Sequence, residues 1–202
     1  MNDKKEESLK TFNYQAKTYD VATYGEHARK LYPHILQAII REPANQLLDL
    51  GCGTGELMKQ VLLEDRNKHI TGIDLSQNML DMAKHKVKQK ADFVLGDAEK
   101  LPFEDESFDL VYCNDSFHHY PHPLKVVDEI NRVLKKDGII IIGDCFQKGI
   151  MRMIMNFFMR FGHSGDVKMY SEKEMKEMLG KYFHNIQWKN VNHTSFIIKG
   201  VK

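Results

Sequence analysis

The most constraining feature of this chain is a glycine-rich loop between an apolar, strand-like run and a helix-forming segment. Residues 47–57 read Leu-Leu-Asp-Leu-Gly-Cys-Gly-Thr-Gly-Glu-Leu, so Gly51, Gly53 and Gly55 alternate with other residues. Glycines at such a turn let bare backbone approach a ligand, and the following helix offers free N–H groups at its N-terminus. The loop therefore predicts a site for a ligand with a nucleotide-like body, without saying which nucleotide.

Length, charge and cysteine content narrow the class of protein. One domain is expected for 202 residues, and a net charge of +1 argues against a dedicated nucleic-acid-binding surface. The polar, charged first ten residues do not resemble a signal peptide, and no apolar run is long enough for stable membrane insertion. Cys52, Cys113 and Cys145 are widely spaced in apolar segments, which is typical of reduced core cysteines. We therefore expect a cytoplasmic protein, either monomer or homodimer.

The order of apolar runs and helical stretches predicts the fold. Strand-like and helical segments alternate from residue 47 to residue 145, which indicates a parallel, doubly wound sheet. Only Asn192 and His193 join the last two strand-like runs, and so short a connection requires an antiparallel hairpin. The expected fold is α/β: a Rossmann-like, doubly wound, seven-stranded sheet, mostly parallel with a C-terminal antiparallel hairpin. The predicted strands are 47–50, 69–74, 92–95, 108–114, 138–145, 184–191 and 194–201, and the predicted helices of this region are 56–64, 77–88 and 124–134.

Two segments outside the predicted sheet are expected to cover the ligand. Within a single domain of residues 1–202, residues 1–40 would form an N-terminal helical cover and residues 148–183 a lid-like insertion. Ser171 and Glu174 form a capping-box pattern that opens a helix in the second cover. Residues 149–161 are rich in Met and Phe. This favours a lid over an aromatic or lipophilic molecule or a surface that touches membrane, but a helix packed on the sheet edge or in a dimer contact fits equally.

Three features separate this loop from the dinucleotide-binding loops of dehydrogenases. The spacing Gly-x-Gly-x-Gly is one residue shorter than the dinucleotide fingerprint Gly-x-Gly-x-x-Gly. Asp74 ends the second predicted strand, where a carboxylate can accept hydrogen bonds from both ribose hydroxyls. Asp97 follows the third predicted strand within Gly-Asp-Ala-Glu-Lys-Leu-Pro-Phe, residues 96–103. The glycine spacing, the Asp97 segment and the predicted C-terminal hairpin oppose a nicotinamide-dependent oxidoreductase.

These motifs resemble those of class I S-adenosylmethionine-dependent methyltransferases. The similarity is greatest to the small-molecule branch, methyltransferase type 11, which includes ubiquinone- and menaquinone-biosynthesis enzymes. The matching segments follow in family order over about residues 45–145, namely 49–55, 72–76, 96–103 and 129–138. The resemblance implies S-adenosyl-L-methionine as cofactor and S-adenosyl-L-homocysteine as product. It further implies in-line displacement of the methyl group onto an O, N or C nucleophile of a small-molecule acceptor.

The resemblance also implies which residues hold the methionine end of the cofactor. Asp49 would reach its amino group, Asn114 would line the methionine moiety and the methyl group, and Tyr19 would close over the cofactor. The backbone of the glycine loop would hold the remainder, through Gly51, Cys52, Gly53 and Gly55. The Cys52 thiol is not expected to act as a nucleophile. For Asn114 a turn or cap, and for Tyr19 plain packing, remain open alternatives.

The nucleoside end of the cofactor is assigned by the same resemblance. Asp74 would bind the ribose diol, with Leu75 and Met79 against the adenine. Asp97 would accept from the adenine amino group, and Ala98 would supply a backbone N–H. The alternative for Asp74 is a helix cap, and the alternative for Asp97 is a turn cap.

Histidines follow the fourth predicted strand, beside the position of the methyl acceptor. Adjacent residues cannot be assumed to face one ion, and no nearby carboxylate pattern completes a site, so no metal is expected at His118 and His119. A phenol, enol or amine acceptor must lose a proton, and His118 or His119 is the candidate general base. A purely structural role for the pair stays open.

Other functions of the same fold fit less well. The stretch 114–117 reads Asn-Asp-Ser-Phe, without the prolines of amino-methylating DNA enzymes. The Pro-Cys nucleophile of cytosine-C5 enzymes and the two-glutamate loop of protein-arginine enzymes are also absent. A non-catalytic protein that binds S-adenosylmethionine remains an alternative, because binding residues do not prove turnover.

Overall fold

The protein folds around one seven-stranded sheet flanked by helices. The computed structural model describes residues 3–87 and 91–202. The strands are β1 (Gln46–Leu50), β2 (His69–Asp74), β3 (Ala91–Leu95), β4 (Phe108–Asn114), β5 (Leu134–Cys145), β6 (His184–Asn190) and β7 (Ser195–Val201). The helices are α1 (Asp3–Gln15), α2 (Glu26–Ile40), α3 (Glu56–Glu64), α4 (Gln77–Lys86), α5 (Pro123–Val133), α6 (Gly149–Met159) and α7 (Glu172–Leu179).

The strand order and directions confirm the predicted fold class. The sheet runs β3-β2-β1-β4-β5-β7-β6. Neighbouring strands from β3 to β5 are parallel, whereas β7 runs antiparallel to both β5 and β6. The order reverses between β1 and β4, and ligands of open α/β sheets bind outside the carboxyl ends of the strands at such a switch point.

Most predicted elements match within a few residues, and the largest difference lies at the start of β5. The sequence predicts a strand from residue 138, but Leu134 already pairs with Phe108 of β4, and the register shifts before Leu110. Asp137 takes a left-handed φ of 60° inside this strand, so the expected turn is an irregularity within β5. Residue 88, where the predicted helix of 77–88 ends, lies outside the described residues.

The core forms two apolar layers, because successive side chains of a strand point to opposite faces of the sheet. On one face, α2 and α3 cover Leu47 of β1 and Leu110 of β4. On the other face, α5 and α7 cover Leu48 of β1 and Val111 of β4. This packing holds the carboxyl ends of β1, β2 and β4 rigidly beside one another.

Two of the three other helices, α1 and α6, belong to the two predicted covers. Lys5 of α1 forms ion pairs with Asp97 at 2.6 Å and Glu99 at 2.7 Å, which ties α1 to the segment after β3. No residue of α6 is buried. The alternative of α6 as a helix packed on the sheet edge is therefore wrong. Within residues 3–87 and 91–202, no helix is long and apolar enough to cross a membrane.

Candidate active site

The glycine loop leaves β1 in a conformation that favours glycine. Gly51 has φ of +75° and Gly53 has φ of +53°. A Cβ at Gly51 would lie 2.5 Å from the Ser116 Oγ, so this position also lacks room for a side chain. A Cβ at Gly53 would meet nothing within 4 Å, since this part of the loop faces open space. The loop thus presents bare backbone to a cavity at the carboxyl end of the sheet.

Asp49 and Asn114 line that cavity with buried acceptor groups that lack a cationic partner among the described residues. Asp49 is 2% exposed, and burial raises the pKa of its carboxyl to about 8. The Asn114 Oδ1 is buried and accepts no hydrogen bond from the part of the chain that the structure describes. A buried carboxyl and a buried orphan acceptor both gain from a cationic donor. The pair therefore fits an ammonium group such as that of an amino acid.

Asp74 ends β2 with one carboxylate oxygen at the glycine loop and the other at the start of α4. Its Oδ2 accepts from the Gly53 N–H at 2.9 Å and its Oδ1 accepts from the Ser76 N–H at 2.8 Å. Burial raises the pKa of Asp74, although these hydrogen bonds act in the opposite direction. The N-cap of α4 is Ser76, whose hydroxyl accepts from the Met79 N–H, so Asp74 is not the cap of this helix. Each oxygen has a second lone pair, so the carboxylate can still accept from a diol.

Asp97 combines a turn-capping contact with an ion pair. Its Oδ1 accepts from the Glu99 N–H at 2.9 Å, and its Oδ2 accepts from the Lys5 Nζ at 2.6 Å. Lys5 also lines the cavity, so α1 closes this end of it. The sequence gives no sign of this contact, because it joins residues 92 positions apart.

One cavity gathers almost all residues expected to bind the cofactor, and we call it the loop cavity. Its lining includes eleven of them: Tyr19, Asp49, Gly51, Cys52, Gly53, Asp74, Leu75, Met79, Asp97, Ala98 and Asn114. Gly55 is the exception. It takes the N-cap position of α3 with φ of 73°, so it starts the helix and does not line the cavity.

A second cavity lies beneath the covers, and we call it the cover cavity. Met155 and Met159 of α6, together with Gln15 of α1, form part of its lining. The two cavities share four lining residues, which we call the shared wall: Phe12, Tyr19, Asp115 and His119. A ligand in one cavity therefore lies next to a ligand in the other.

His118 is held between two carboxylates. Its Nδ1 lies 2.5 Å from the Asp144 Oδ1, and its Nε2 lies 3.5 Å from the Asp166 Oδ1. Burial alone would lower the pKa of His118, but the negative charge of Asp144 and the contact with Asp166 raise it well above the usual value. His118 is therefore a cation at neutral pH.

His119 has the opposite electrostatic environment. Burial and the charge of the adjacent His118 lower the pKa of His119 to about 4, although Asp166 acts to raise it. Its Nδ1 is buried 3.3 Å from the Asp166 Oδ1 and makes no hydrogen bond of good geometry with the described residues. Neutral at pH 7 and part of the shared wall, His119 has one ring nitrogen without a proton.

The expectation that no carboxylate lies near these histidines is wrong. Asp144 is distant in sequence on β5, and Asp166 lies in the second cover. The possible ligand atoms of His118, His119 and Asp166 lie within 4.8 Å of one another. Attraction between the His118 cation and the two carboxylates accounts for this closeness, so a metal ion is not needed to explain it.

Comparison with known proteins identifies the family. Residues 48–142 match the family described as a methyltransferase domain. Over 150 residues the chain is 33% identical to the demethylmenaquinone methyltransferase of Staphylococcus haemolyticus, covering 69% of this chain and 61% of that protein. Residues 48–142 belong to the methyltransferase domain family, and the similarities support a class I S-adenosylmethionine-dependent methyltransferase. The chain spans about three fifths of the length of that relative.

Solved structures share the fold of this chain across nearly its whole length. A Haloferax volcanii methyltransferase, solved with its activator Trm112, has a TM-score of 0.80 at 19% identity and covers 96% of both chains. Phosphoethanolamine N-methyltransferase 2 of Haemonchus contortus, solved with S-adenosyl-L-methionine, has a TM-score of 0.73 at 19% identity. The alignment covers 95% of this chain and 60% of that one.

The structure adds a further polar contact that the sequence did not reveal. The His27 Nδ1 lies 2.6 Å from the Asp115 Oδ1, beside the shared wall. Burial would lower the pKa of His27, but the hydrogen bond and charge of Asp115 raise it. No motif marks His27, because it lies on α2, 88 positions before its partner.

Proposed function

We propose that this chain transfers a methyl group from S-adenosylmethionine in the loop cavity to a small acceptor in the cover cavity. The observation that carries the proposal is the shared wall of Phe12, Tyr19, Asp115 and His119. Methyl transfer requires donor and acceptor to meet in line, and most of its acceleration comes from proximity and alignment. Two adjoining cavities with a common wall supply that arrangement.

The proposed cofactor contacts follow from the polar groups of the loop cavity. Asp49 and Asn114 would bind the cofactor's ammonium group, which offsets the buried carboxyl and the orphan acceptor. Asp74 would accept from the ribose hydroxyls, with Leu75 and Met79 beside the adenine. Asp97 and Ala98 would bind the adenine edge. The bare backbone from Gly51 to Gly53 would follow the methionine chain, and Tyr19 would close the cavity.

The bound cofactor supplies an electrophilic methyl group on a sulfonium centre. The chain's own residues then position the acceptor and exclude water. Phe12 and Tyr19 present apolar rings to both cavities, so they separate the reacting centre from solvent. In such a water-poor site, a fixed geometry lowers the barrier without a charged catalyst.

His119 is the proposed general base, and His118 is its positioning neighbour. A base must be unprotonated at working pH, and the pKa of His119 is about 4. His118 is held as a cation by Asp144 and Asp166, so it has no free lone pair to offer. Its charge keeps His119 neutral and stabilises an acceptor oxygen as that oxygen loses its proton.

The proposed acceptor is an apolar, aromatic small molecule. Phe146, Met155, Met159 and Met169 line the cover cavity, and flexible methionines accommodate irregular apolar shapes. The relative from Staphylococcus haemolyticus carries the name demethylmenaquinone methyltransferase, which is consistent with a quinol-like acceptor. A cytoplasmic location stays a prediction, in keeping with three free cysteines.

The proposal is tested by incubating the protein with S-adenosylmethionine and soluble naphthoquinols, phenols and amines. The expected result is one acceptor class that gains a single methyl group by mass spectrometry, with equimolar S-adenosylhomocysteine. His119→Ala serves as the matched low-activity control. Tight cofactor binding without methylation of any acceptor class would instead indicate the non-catalytic alternative.

A further inference from the structure

The outer face of α6 is the most apolar exposed surface of the described residues. Of thirteen exposed large hydrophobic side chains, seven lie between residues 150 and 161. Those spaced along one helical face are Ile150, Met153, Ile154, Phe157, Phe158 and Phe161. Phe158 is 65% exposed and Phe161 is 67% exposed. A contiguous apolar patch of this kind marks an interaction surface, because scattered single residues are the norm elsewhere.

The inner face of α6 contacts other parts of the protein, so the opposite face must point to solvent. The Arg152 Nη1 donates to the Glu174 Oε2 at 2.7 Å, and the Asn156 Nδ2 donates to the Met169 carbonyl at 3.0 Å. Met155 and Met159, on the same side, line the cover cavity. Arg152, Asn156 and these two methionines therefore face the protein, and the other apolar residues of α6 point away. This arrangement is the reverse of an ordinary surface helix.

The charges around α6 identify what covers this face. Lys148 and Arg160 are exposed at the two ends of the helix, and neither forms an ion pair with a described residue. From residue 148 to residue 165 the sequence contains no Asp or Glu. The patch is thus apolar in its centre and only cationic at its ends. An apolar helix face with flanking cations matches the interface of a bilayer that contains anionic lipids.

A second copy of the chain fits the same face poorly. In an antiparallel pairing of two α6 helices, Lys148 of each copy would approach Arg160 of the other. In a parallel pairing, each cation would approach its own counterpart. Both arrangements place like charges together with no acidic residue of the segment to compensate, which opposes association.

We propose that α6 is an interfacial helix that docks the protein on an anionic lipid bilayer. Phe157, Phe158 and their neighbours insert among the acyl chains, while Lys148 and Arg160 contact the headgroups. Given the proposed function, the cover cavity then opens beneath the membrane surface, so an apolar acceptor reaches Met155 and Met159 without crossing water. The docking itself does not depend on methyl transfer.

Vesicle co-sedimentation tests the docking with purified full-length protein. We expect binding to phosphatidylcholine vesicles that contain phosphatidylglycerol, and roughly tenfold weaker binding to phosphatidylcholine alone or at high salt. The double variant Phe157→Ser with Phe158→Ser is expected to lose about tenfold or more of the vesicle affinity. Lys148→Glu with Arg160→Glu is expected to remove the preference for anionic vesicles.

Leu63→Ser with Leu124→Ser is the matched control, because both leucines are 56% exposed, close to the 55% of Phe157, and lie on α3 and α5. It is expected to bind vesicles like the unchanged protein. Two results together would overturn the proposal in favour of a second copy. The unchanged protein would form a stable dimer in sedimentation velocity without binding vesicles, and the double variant Phe157→Ser with Phe158→Ser would be a monomer. A monomer that does not bind anionic vesicles would overturn the docking proposal as well. S-adenosylhomocysteine binding, measured in parallel, separates this outcome from a failure of the proposed function.

Discussion

The imidazole of His119 lies edge-on against the ring of Phe12, with centroids 5.0 Å apart and an interplanar angle of 89°. This contact joins the N-terminal helix α1 to the turn after β4. Both rings belong to the shared wall, so α1 forms part of the boundary at which the two proposed ligands meet. The N-terminal segment is therefore part of the proposed site and not only its cover.

The loop cavity predicts stabilisation by the cofactor product. S-adenosylhomocysteine at about 100 times its Kd should stabilise the fold by about 2.7 kcal/mol. For a chain of this size, that corresponds to an increase in Tm of roughly 5–10 °C. Differential scanning fluorimetry measures the shift, with NAD as the comparison ligand. A shift with NAD and none with S-adenosylhomocysteine would show that the cavity has been assigned to the wrong ligand.

Asp74→Ala is expected to weaken cofactor binding by roughly 100-fold, because the ribose hydroxyls lose charge-assisted hydrogen bonds. Isothermal titration calorimetry with S-adenosylhomocysteine gives the change. Asp92→Ala is a suitable control, since Asp92 lies on neighbouring β3 with a side chain that is 67% exposed. Unchanged affinity in Asp74→Ala would limit Asp74 to a structural role as acceptor of the Gly53 and Ser76 N–H groups.

Asp49 predicts that cofactor binding is coupled to proton release. Burial raises the pKa of its carboxyl to about 8, and an ammonium group beside it favours the carboxylate. Below that pH, binding must therefore release a proton, and affinity falls by up to about tenfold per pH unit as the pH decreases. Calorimetry at pH 7 in two buffers of different ionisation enthalpy should find close to one proton released. Asp49→Asn should abolish the buffer dependence.

The same carboxyl has a defined effect on folding stability. Its folded pKa lies above the unfolded value, so the stability it contributes is present at low pH and is lost as the pH rises through about 8. Without ligand at pH 8, Asn at this position is expected to stabilise the fold by on the order of 1 kcal/mol, or roughly 2–4 °C in Tm. Thermal melts of both proteins at pH 5 and pH 8 measure it, and a smaller gain is expected at pH 5. A gain that is equal at both pH values would count against the raised pKa.

The two histidines are expected to behave differently in pH profiles. With His119 as base, kcat/KM carries no inflection from this residue between pH 5.5 and pH 8, because its pKa is about 4. His119→Ala should lower kcat by roughly 100-fold or more. His118→Gln removes the neighbouring positive charge, so it should raise the pKa of His119. The inflection of this residue in the profile of kcat/KM against pH should then move to higher pH. A profile that rises through a pKa above neutrality and is lost in His118→Gln would assign the base to His118.

Local sequence patterns predicted the sheet and most of the loop cavity. Residues such as Asp49, Asp74 and Asn114 end strands, and parallel strands bring their carboxyl ends to one edge, so motif positions translate directly into neighbours in space. Lys5, His27 and Asp166 escaped prediction because their contacts join the covers to the sheet across long sequence separations. The orientation of α6 was not predicted either, because periodicity identifies an apolar stripe but not whether the stripe points towards the protein or towards solvent.

The position of α1 has a consequence for the timing of turnover. Lys5 binds Asp97 at the adenine end of the loop cavity, Asn13 accepts from the Ser76 hydroxyl at 2.7 Å, and Phe12 contacts His119. Helix α1 thus contributes Lys5 to the loop cavity and Phe12 to the wall between both cavities. Under the proposed function, a movement of α1 away from the sheet would uncover the cofactor and acceptor sites together. The rate at which these three contacts break would then set an upper limit on the turnover rate, however fast the methyl transfer itself is.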